Sequence, residues 1–154
     1  MKKYSNEMMR QFMEKGIPFN DFLGMEVVDI GEGEAEMRIG ARAEFTGDPF
    51  RPALHGGVIS ALADTVGGLA VFTAANHDKV ASTVDLRVDY LRPGAVDQDL
   101  HARAKVIRLG NRVAATHTVV FQADPEKPIA TAQAVYNMVT RKSRHSDEPG
   151  DDEA

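Results

Sequence analysis

The chain of 154 residues has no cysteine and no tryptophan. Without thiols there can be no disulfide, no thiolate-bound metal and no cysteine nucleophile. A basic surplus is missing too: 18 Lys and Arg stand against 23 Asp and Glu, a formal net charge of −5. That balance excludes the electrostatics by which proteins hold a phosphate backbone, so no nucleic-acid partner is expected. The acidic excess is local. Residues 143–154 (SRHSDEPGDDEA) hold five acids and one arginine, a net of −4, and have no large apolar side chain; they read as a disordered, solvating tail. The five histidines, His55, His77, His101, His117 and His145, are scattered, with no HxxxH spacing and no acidic cluster beside them. No metal site and no cofactor is therefore expected. The opening residues MKKYSNE carry lysines with no apolar run behind them, which predicts no secretory signal and a cytoplasmic protein.

What the chain does have is ordinary globular composition, 43% hydrophobic and 27% charged, in a length that suits one domain. Its most distinctive stretch is residues 54–75. From Gly56 to Ala75 the only charged side chain is Asp64, the pattern of a helix buried on most sides. Four glycines and a central acid that costs about 2.5–3.5 kcal/mol on insertion scales argue against a membrane span. A lone carboxylate in such a helix either lies on a wet stripe or pairs with arginine, or else it has a functional environment. At the helix entry, His55-Gly56-Gly57 permits a sharp turn and leaves bare N–H groups where the helix dipole favours an anion. Asp64 lies eight residues beyond Gly56, about 12 Å along one helix, so one small reacting group cannot touch both in one chain. Two such helices packed antiparallel about a two-fold axis would bring the Gly56 amide of one subunit near Asp64 of the other.

Around this helix the pattern is mostly strand. Residues 5–15 set Met8, Met9, Phe12 and Met13 at helical spacing before Gly16, predicting an N-terminal amphipathic helix over 1–16 whose methionines pack on the domain. Residues 17–23, opened by Pro18, suggest a short turn or helix. Residues 25–30 and 35–39 form a hairpin around Gly31-Glu32-Gly33-Glu34, and residues 40–53 read as a long polar loop. Residues 80–91 alternate, with Val80, Val84, Leu86, Val88 and Tyr90 on one face and Thr83, Asp85, Arg87 and Asp89 on the other. Strands at 100–109, 113–123 and 129–140 follow through short turns, which together predicts a four-strand antiparallel meander. The sum is one α+β domain over 17–142, an apolar helix enclosed by a six-stranded antiparallel sheet.

This order of elements, with Leu54-His55-Gly56-Gly57, an Asp nine residues after the His, and Thr83-Val84-Asp85-Leu86-Arg87-Val88-Asp89-Tyr90-Leu91-Arg92-Pro93-Gly94, resembles the hot-dog fold thioesterases. Within them it is most similar to the phenylacetate-pathway-like branch of the 4-hydroxybenzoyl-CoA thioesterase superfamily, over about residues 17–140. The resemblance implies an acyl-CoA thioesterase working as a homodimer or homotetramer on a small-molecule acyl-CoA substrate, with no membrane partner. It implies that the Gly56 N–H polarises the thioester carbonyl, that Asp64 of the facing subunit is nucleophile or general base, that the Thr83 hydroxyl holds the water or the carboxylate, and that His55 orders the loop. Many relatives have Asn six residues before the His; here that residue is Pro49, beside Asp48. Strand parity puts Thr83 on the polar face, so its role would need the strand to meet a partner subunit. Gly57, at the helix start, and Arg92, Arg108 and Arg112, from a basic second half, are candidates to meet the coenzyme's phosphates. Two other functions fit the pattern less fully: an acyl-thioester dehydratase or hydratase, which needs a histidine and an acid converging, and a non-enzymatic acyl-CoA-binding module, which would not need Asp64.

Overall fold

The computed structural model describes residues 4–140, so the acidic segment 143–154 lies outside the described residues. In chain order the elements are α1 (Asn6–Gln11), a π-helical turn (Phe12–Gly16), α2 (Pro18–Leu23), β1 (Met25–Gly31), β2 (Glu34–Ile39), β3 (Thr46–Asp48), β4 (Ala53–Leu54), α3 (Gly56–Ala74), β5 (Lys79–Tyr90), β6 (Leu100–Leu109), β7 (Val113–Phe121) and β8 (Ala130–Thr140). The predicted N-terminal helix thus begins as α-helix, capped by Ser5 Oγ accepting the Met8 N–H at 3.1 Å, and widens into a π turn. The loop at 40–53 is less plain than its polarity suggests, because Ala43–Phe45 forms a 3₁₀ turn and β3 pairs with β4.

Six strands make one antiparallel sheet in the order β1-β2-β6-β7-β8-β5. Helix α3 packs against all six, so the sheet wraps it, which is the α+β hot-dog architecture. Close approach is possible because the inner face is built of small residues. Ala35, Ala104, Thr118 and Ala132 are cross-strand neighbours in one row over β2, β6, β7 and β8, and all four are buried. From the helix Leu62, Val66, Leu69 and Val71 are at most 2% exposed, each contributing about 1.5–3 kcal/mol by burial. By length and composition α3 could cross a membrane; here that apolar surface is spent on the sheet.

The expected four-strand meander is corrected in one respect. Only β6, β7 and β8 follow one another across the sheet, while β5 pairs with β8 and forms an edge. Alternation in a sequence shows that a segment is a strand, not which neighbour its backbone chooses. The nine residues from Leu91 to Asp99 carry the chain between β5 and β6, and the N–H groups of Leu91 and Arg92 both donate to the Ile129 carbonyl at the start of this path.

The two sheet edges differ. On β1, Glu14 accepts the Val27 N–H at 2.8 Å and the Arg10 guanidinium donates to the Val27 carbonyl, so side chains of the N-terminal segment occupy that edge. The twelve-residue edge β5 has no such cover among the described residues, and an uncovered edge of this length is a template for pairing.

Two adjacent glycines inside α3 give a stability test. A Cβ on Gly67 would lie 2.2 Å from Tyr136 Oη, whereas one on Gly68 would meet nothing nearer than Tyr136 Cε1 at 3.7 Å. Gly67→Ala should therefore destabilise by about 2 kcal/mol through overpacking, and Gly68→Ala should stabilise by about 0.5–1 kcal/mol through helix propensity. Urea unfolding of the two variants checks both signs.

Candidate active site

The site is assembled where α3 crosses β5. Along β5 the pairing with β8 runs Thr83 opposite Tyr136 and then Asp85 opposite Val135, so Val84 is an extra residue, a β-bulge. The bulge resets the alternation. Leu86 and Val88 pack on the core, but Val84 is 66% exposed, and Thr83 instead of Val84 turns toward the helix. There Thr83 Oγ1 donates to Asp64 Oδ1 at 2.7 Å. The expected polar-face position of Thr83 is thus overturned, and it reaches Asp64 of its own chain without a partner strand.

Asp64 is half-buried and is held on its backbone side as well, since the Tyr136 hydroxyl donates to the Asp64 carbonyl at 2.8 Å. Only glycine at position 67 leaves room for that hydroxyl. Burial pushes the Tyr136 phenol above its ordinary range, and the nearby Asp64 charge pushes it further. Neither Tyr136 nor the role of Gly67 was evident from sequence; the only signal was a glycine in mid-helix with no turn to make.

At the helix entry His55 is the N-cap, its Nδ1 accepting the Gly57 N–H at 2.8 Å. With Nδ1 as the acceptor, the tautomer of the neutral ring that fits this bond carries its proton on Nε2. Gly57 is held by the same contact, because a Cβ there would sit 2.8 Å from the ring nitrogen. The Gly56 carbonyl accepts from Ser60 Oγ at 2.9 Å and from the Tyr90 hydroxyl at 3.0 Å, and a Cβ at Gly56 would come 3.1 Å from the Tyr90 ring. With its carbonyl engaged, Gly56 keeps an N–H that meets no acceptor among the described residues, at the positive end of the helix dipole. Tyr90 and Ser60 are contributors that sequence reading missed, as both looked like ordinary strand and helix positions.

Asp64 and Thr83 stand in the wall of a cavity of about 540 Å³, whose other walls come from α1, the π turn and α3. Most of that lining is apolar, including Met8, Met9, Phe12 and Met13. Of these Met9 and Met13 are buried while Met8 and Phe12 stay more than half exposed, so the N-terminal methionines pack on the domain and enclose a space at once.

The three arginines are not brought together within one chain. Arg92 follows β5 at the end of the sheet marked by Ile129, whereas Arg108 and Arg112 flank the β6–β7 turn at the end marked by Met138, whose N–H donates to the Arg112 carbonyl. Nine residue steps, from Ile129 to Met138, separate the two ends, about 30 Å at about 3.3 Å per residue. All three are exposed. Near Pro49, Asp48 is committed to a turn: its Oδ1 accepts the N–H groups of Phe50 and Arg51 at 2.9 and 3.2 Å. These amides, Arg51 first, hold its carboxyl below the ordinary range, so it supplies no side-chain amide in place of the Asn found in many relatives.

Comparison with known proteins places the fold among thioesterases. A family model described as the thioesterase superfamily matches residues 52–129. The medium/long-chain acyl-CoA thioesterase YigI of Escherichia coli is 32% identical over 133 residues, 78% of this chain and 84% of YigI. Among solved structures, a thioesterase of Haemophilus influenzae superposes with a TM-score of 0.79 at 25% identity, covering 94% of this chain and 96% of that one. A mutant of the phenylacetic acid degradation protein PaaI of Thermus thermophilus gives 0.70 at 30% identity, covering 79% and 98%.

The raised Tyr136 phenol makes a pH prediction. The folded state favours the protonated hydroxyl, so its contribution is complete below the ordinary tyrosine value of about 10 and is lost as pH rises through the higher native value. Tyr136→Phe should lose about 1 kcal/mol at neutral pH and show a shallower fall in stability above about pH 10. Urea unfolding across the alkaline range measures both; identical slopes would contradict the assignment.

Proposed function

Because the chain belongs to the thioesterase superfamily and is a thioester hydrolase of the hot-dog fold, we propose that it hydrolyses acyl-CoA, with Asp64 as base or nucleophile and the Gly56 N–H as oxyanion donor. The observation that carries this reading is the carboxylate itself, fixed by Thr83 in the wall of a largely apolar cavity. YigI, named for medium/long-chain acyl-CoA, supports a fatty acyl group, and so does the cavity's lining.

In this reading the active unit is a homodimer joined through β5. Antiparallel pairing of two β5 edges lays the Tyr90 end of one strand beside the Lys79 end of the other. Gly56, tied to Tyr90, then stands near the partner's Thr83 and Asp64. The same pairing brings Arg92 toward the partner's Arg108 and Arg112, which lie at the Lys79 end of the sheet, where the Lys79 ammonium donates to the Asn111 carbonyl. Arginines separated by the length of a sheet in one chain thus converge on one coenzyme in two.

The chemistry is short. With Asp64 as base, the carboxylate takes a proton from water while the water oxygen bonds to the thioester carbon, and the Gly56 N–H donates to the oxygen that becomes negative. Collapse breaks the C–S bond and the thiolate leaves. Near its ordinary pKa of about 8.5 that thiolate is a good leaving group and needs no strong acid. With Asp64 as nucleophile, its carboxylate oxygen bonds to the thioester carbon, the C–S bond breaks and the thiolate leaves, and water then cleaves the resulting anhydride to the acid and the free Asp64 side chain. The Thr83 hydrogen bond aims the carboxylate in both routes.

Two measurements test the reading. A panel of aromatic, short-, medium- and long-chain acyl-CoAs with a thiol-trapping dye should show hydrolysis that survives a metal chelator; no turnover on any of them would sink it. Asp64→Asn should lower kcat by at least a thousandfold while leaving the circular dichroism spectrum intact, and it should not lower stability, since it removes a half-buried charge. Near-normal turnover in this variant would return Asp64 to a structural role.

A further inference from the structure

Gly68 is the residue of the core helix that packing leaves unexplained. Glycine inside a helix is destabilising relative to alanine, and Gly67 has its reason in the Tyr136 hydroxyl. Gly68 has none of that kind: a Cβ there would make only ordinary contact, 3.7 Å from Tyr136 Cε1. Four residues after Asp64, it lies on the same helix face one turn farther on, and it lines the cavity that holds Asp64. What its missing side chain keeps open is that space.

The opposite wall also departs from regular structure. Phe12–Gly16 is a π turn, a widening frequent at functional sites. Its Met13 carbonyl is taken by the buried Asn20 amide at 2.8 Å, and the Phe12 ring folds back over Gly16, where a Cβ would lie 2.7 Å from the ring. The turn brings Phe12 and Met13 to the cavity, Phe12 with 53% of its surface still exposed. Methionine beside it is the side chain that best repacks around guests of different length.

We infer that the acyl chain runs from Asp64 along α3 past Gly68 beneath the π turn, and that Gly68 and Phe12 set the length of chain the enzyme accepts. This rests on the reading that Asp64 meets the thioester carbonyl. Each methylene withdrawn from water is worth about fourfold in kcat/KM, so preference climbs with length until the chain end meets a wall, and moving the wall moves the preference.

The test compares butanoyl-, octanoyl-, dodecanoyl- and hexadecanoyl-CoA in the wild type, Gly68→Leu and Phe12→Ala. Filling the floor with leucine should lower the ratio of kcat/KM for dodecanoyl- over butanoyl-CoA at least tenfold. Opening the roof at the exposed Phe12 should raise the ratio for hexadecanoyl- over octanoyl-CoA at least threefold, and this variant carries the test should Gly68→Leu not fold. Ratios unchanged in the folded variants would overturn the inference even with hydrolysis intact. Should the wild type hydrolyse none of the esters, the hydrolase reading falls by itself, and calorimetric titration with dodecanoate decides on the cavity. Binding that Gly68→Leu or Phe12→Ala alters at least threefold supports it, and equal affinity or no binding overturns it.

Discussion

The hydrogen bond from Thr83 Oγ1 to Asp64 Oδ1, 2.7 Å long, joins the one charged position of an apolar helix to the edge strand of the sheet that wraps it. An ionised carboxylate at such a place is costly unless something receives it. Three local departures from regular structure serve that end. The bulge at Val84 turns Thr83 inward, the glycine at 67 admits the Tyr136 hydroxyl to the Asp64 carbonyl, and a cavity opens beside the carboxylate. The bulge and the cavity weaken the fold locally relative to an unbroken strand and a filled core. Irregularities gathered around one carboxylate are what a functional site looks like when the rest of the chain is consistent.

The unequal edges of the sheet bear on assembly in the same way. The N-terminal segment shields β1 with Arg10 and Glu14 and also forms one wall of the cavity, so one short stretch both closes an edge and encloses a space. The other edge, β5, carries Thr83 near its middle and Tyr90, the anchor of the Gly56 carbonyl, at its end. Pairing through β5, as proposed, would couple assembly to chemistry, because the strand that would join two chains also orients both proposed reacting groups.

Much of this was legible in the sequence, and the exceptions are instructive. Helix α3 was readable at both ends because His55-Gly56-Gly57 is a cap and the apolar run stops where the left-handed Asn76 and His77 begin. The hairpin at Gly31–Glu34 and the existence of each long strand followed from turn residues and alternation. The bulge did not, because Val80, Val84, Leu86, Val88 and Tyr90 keep an apolar identity at even positions while the backbone inserts a residue. The pairing of β5 with β8 rather than β6 was hidden for a different reason: hydrogen-bond partners between strands are chosen by tertiary packing, which periodicity does not encode. Nor did the N-terminal methionines disclose the cavity, since side chains that pack on a domain and those that line a void share one helical spacing. Asp64 and Gly56 stood out early because a lone acid and paired glycines violate the local pattern around them.

The central claim, that each site takes Gly56 from one chain and Asp64 from the other, is tested most directly by mixing two inactive variants. Asp64→Asn removes the carboxylate, and Gly56→Pro removes the N–H at the first helical position, where proline's fixed φ fits and its Cβ displaces the Tyr90 ring slightly. Denatured together and refolded, the pair should regain acyl-CoA hydrolysis, because one of the two sites in every mixed dimer unites an intact Gly56 with an intact Asp64. Activity no greater than that of the separate variants, in a sample shown to contain mixed dimers, would contradict a shared site.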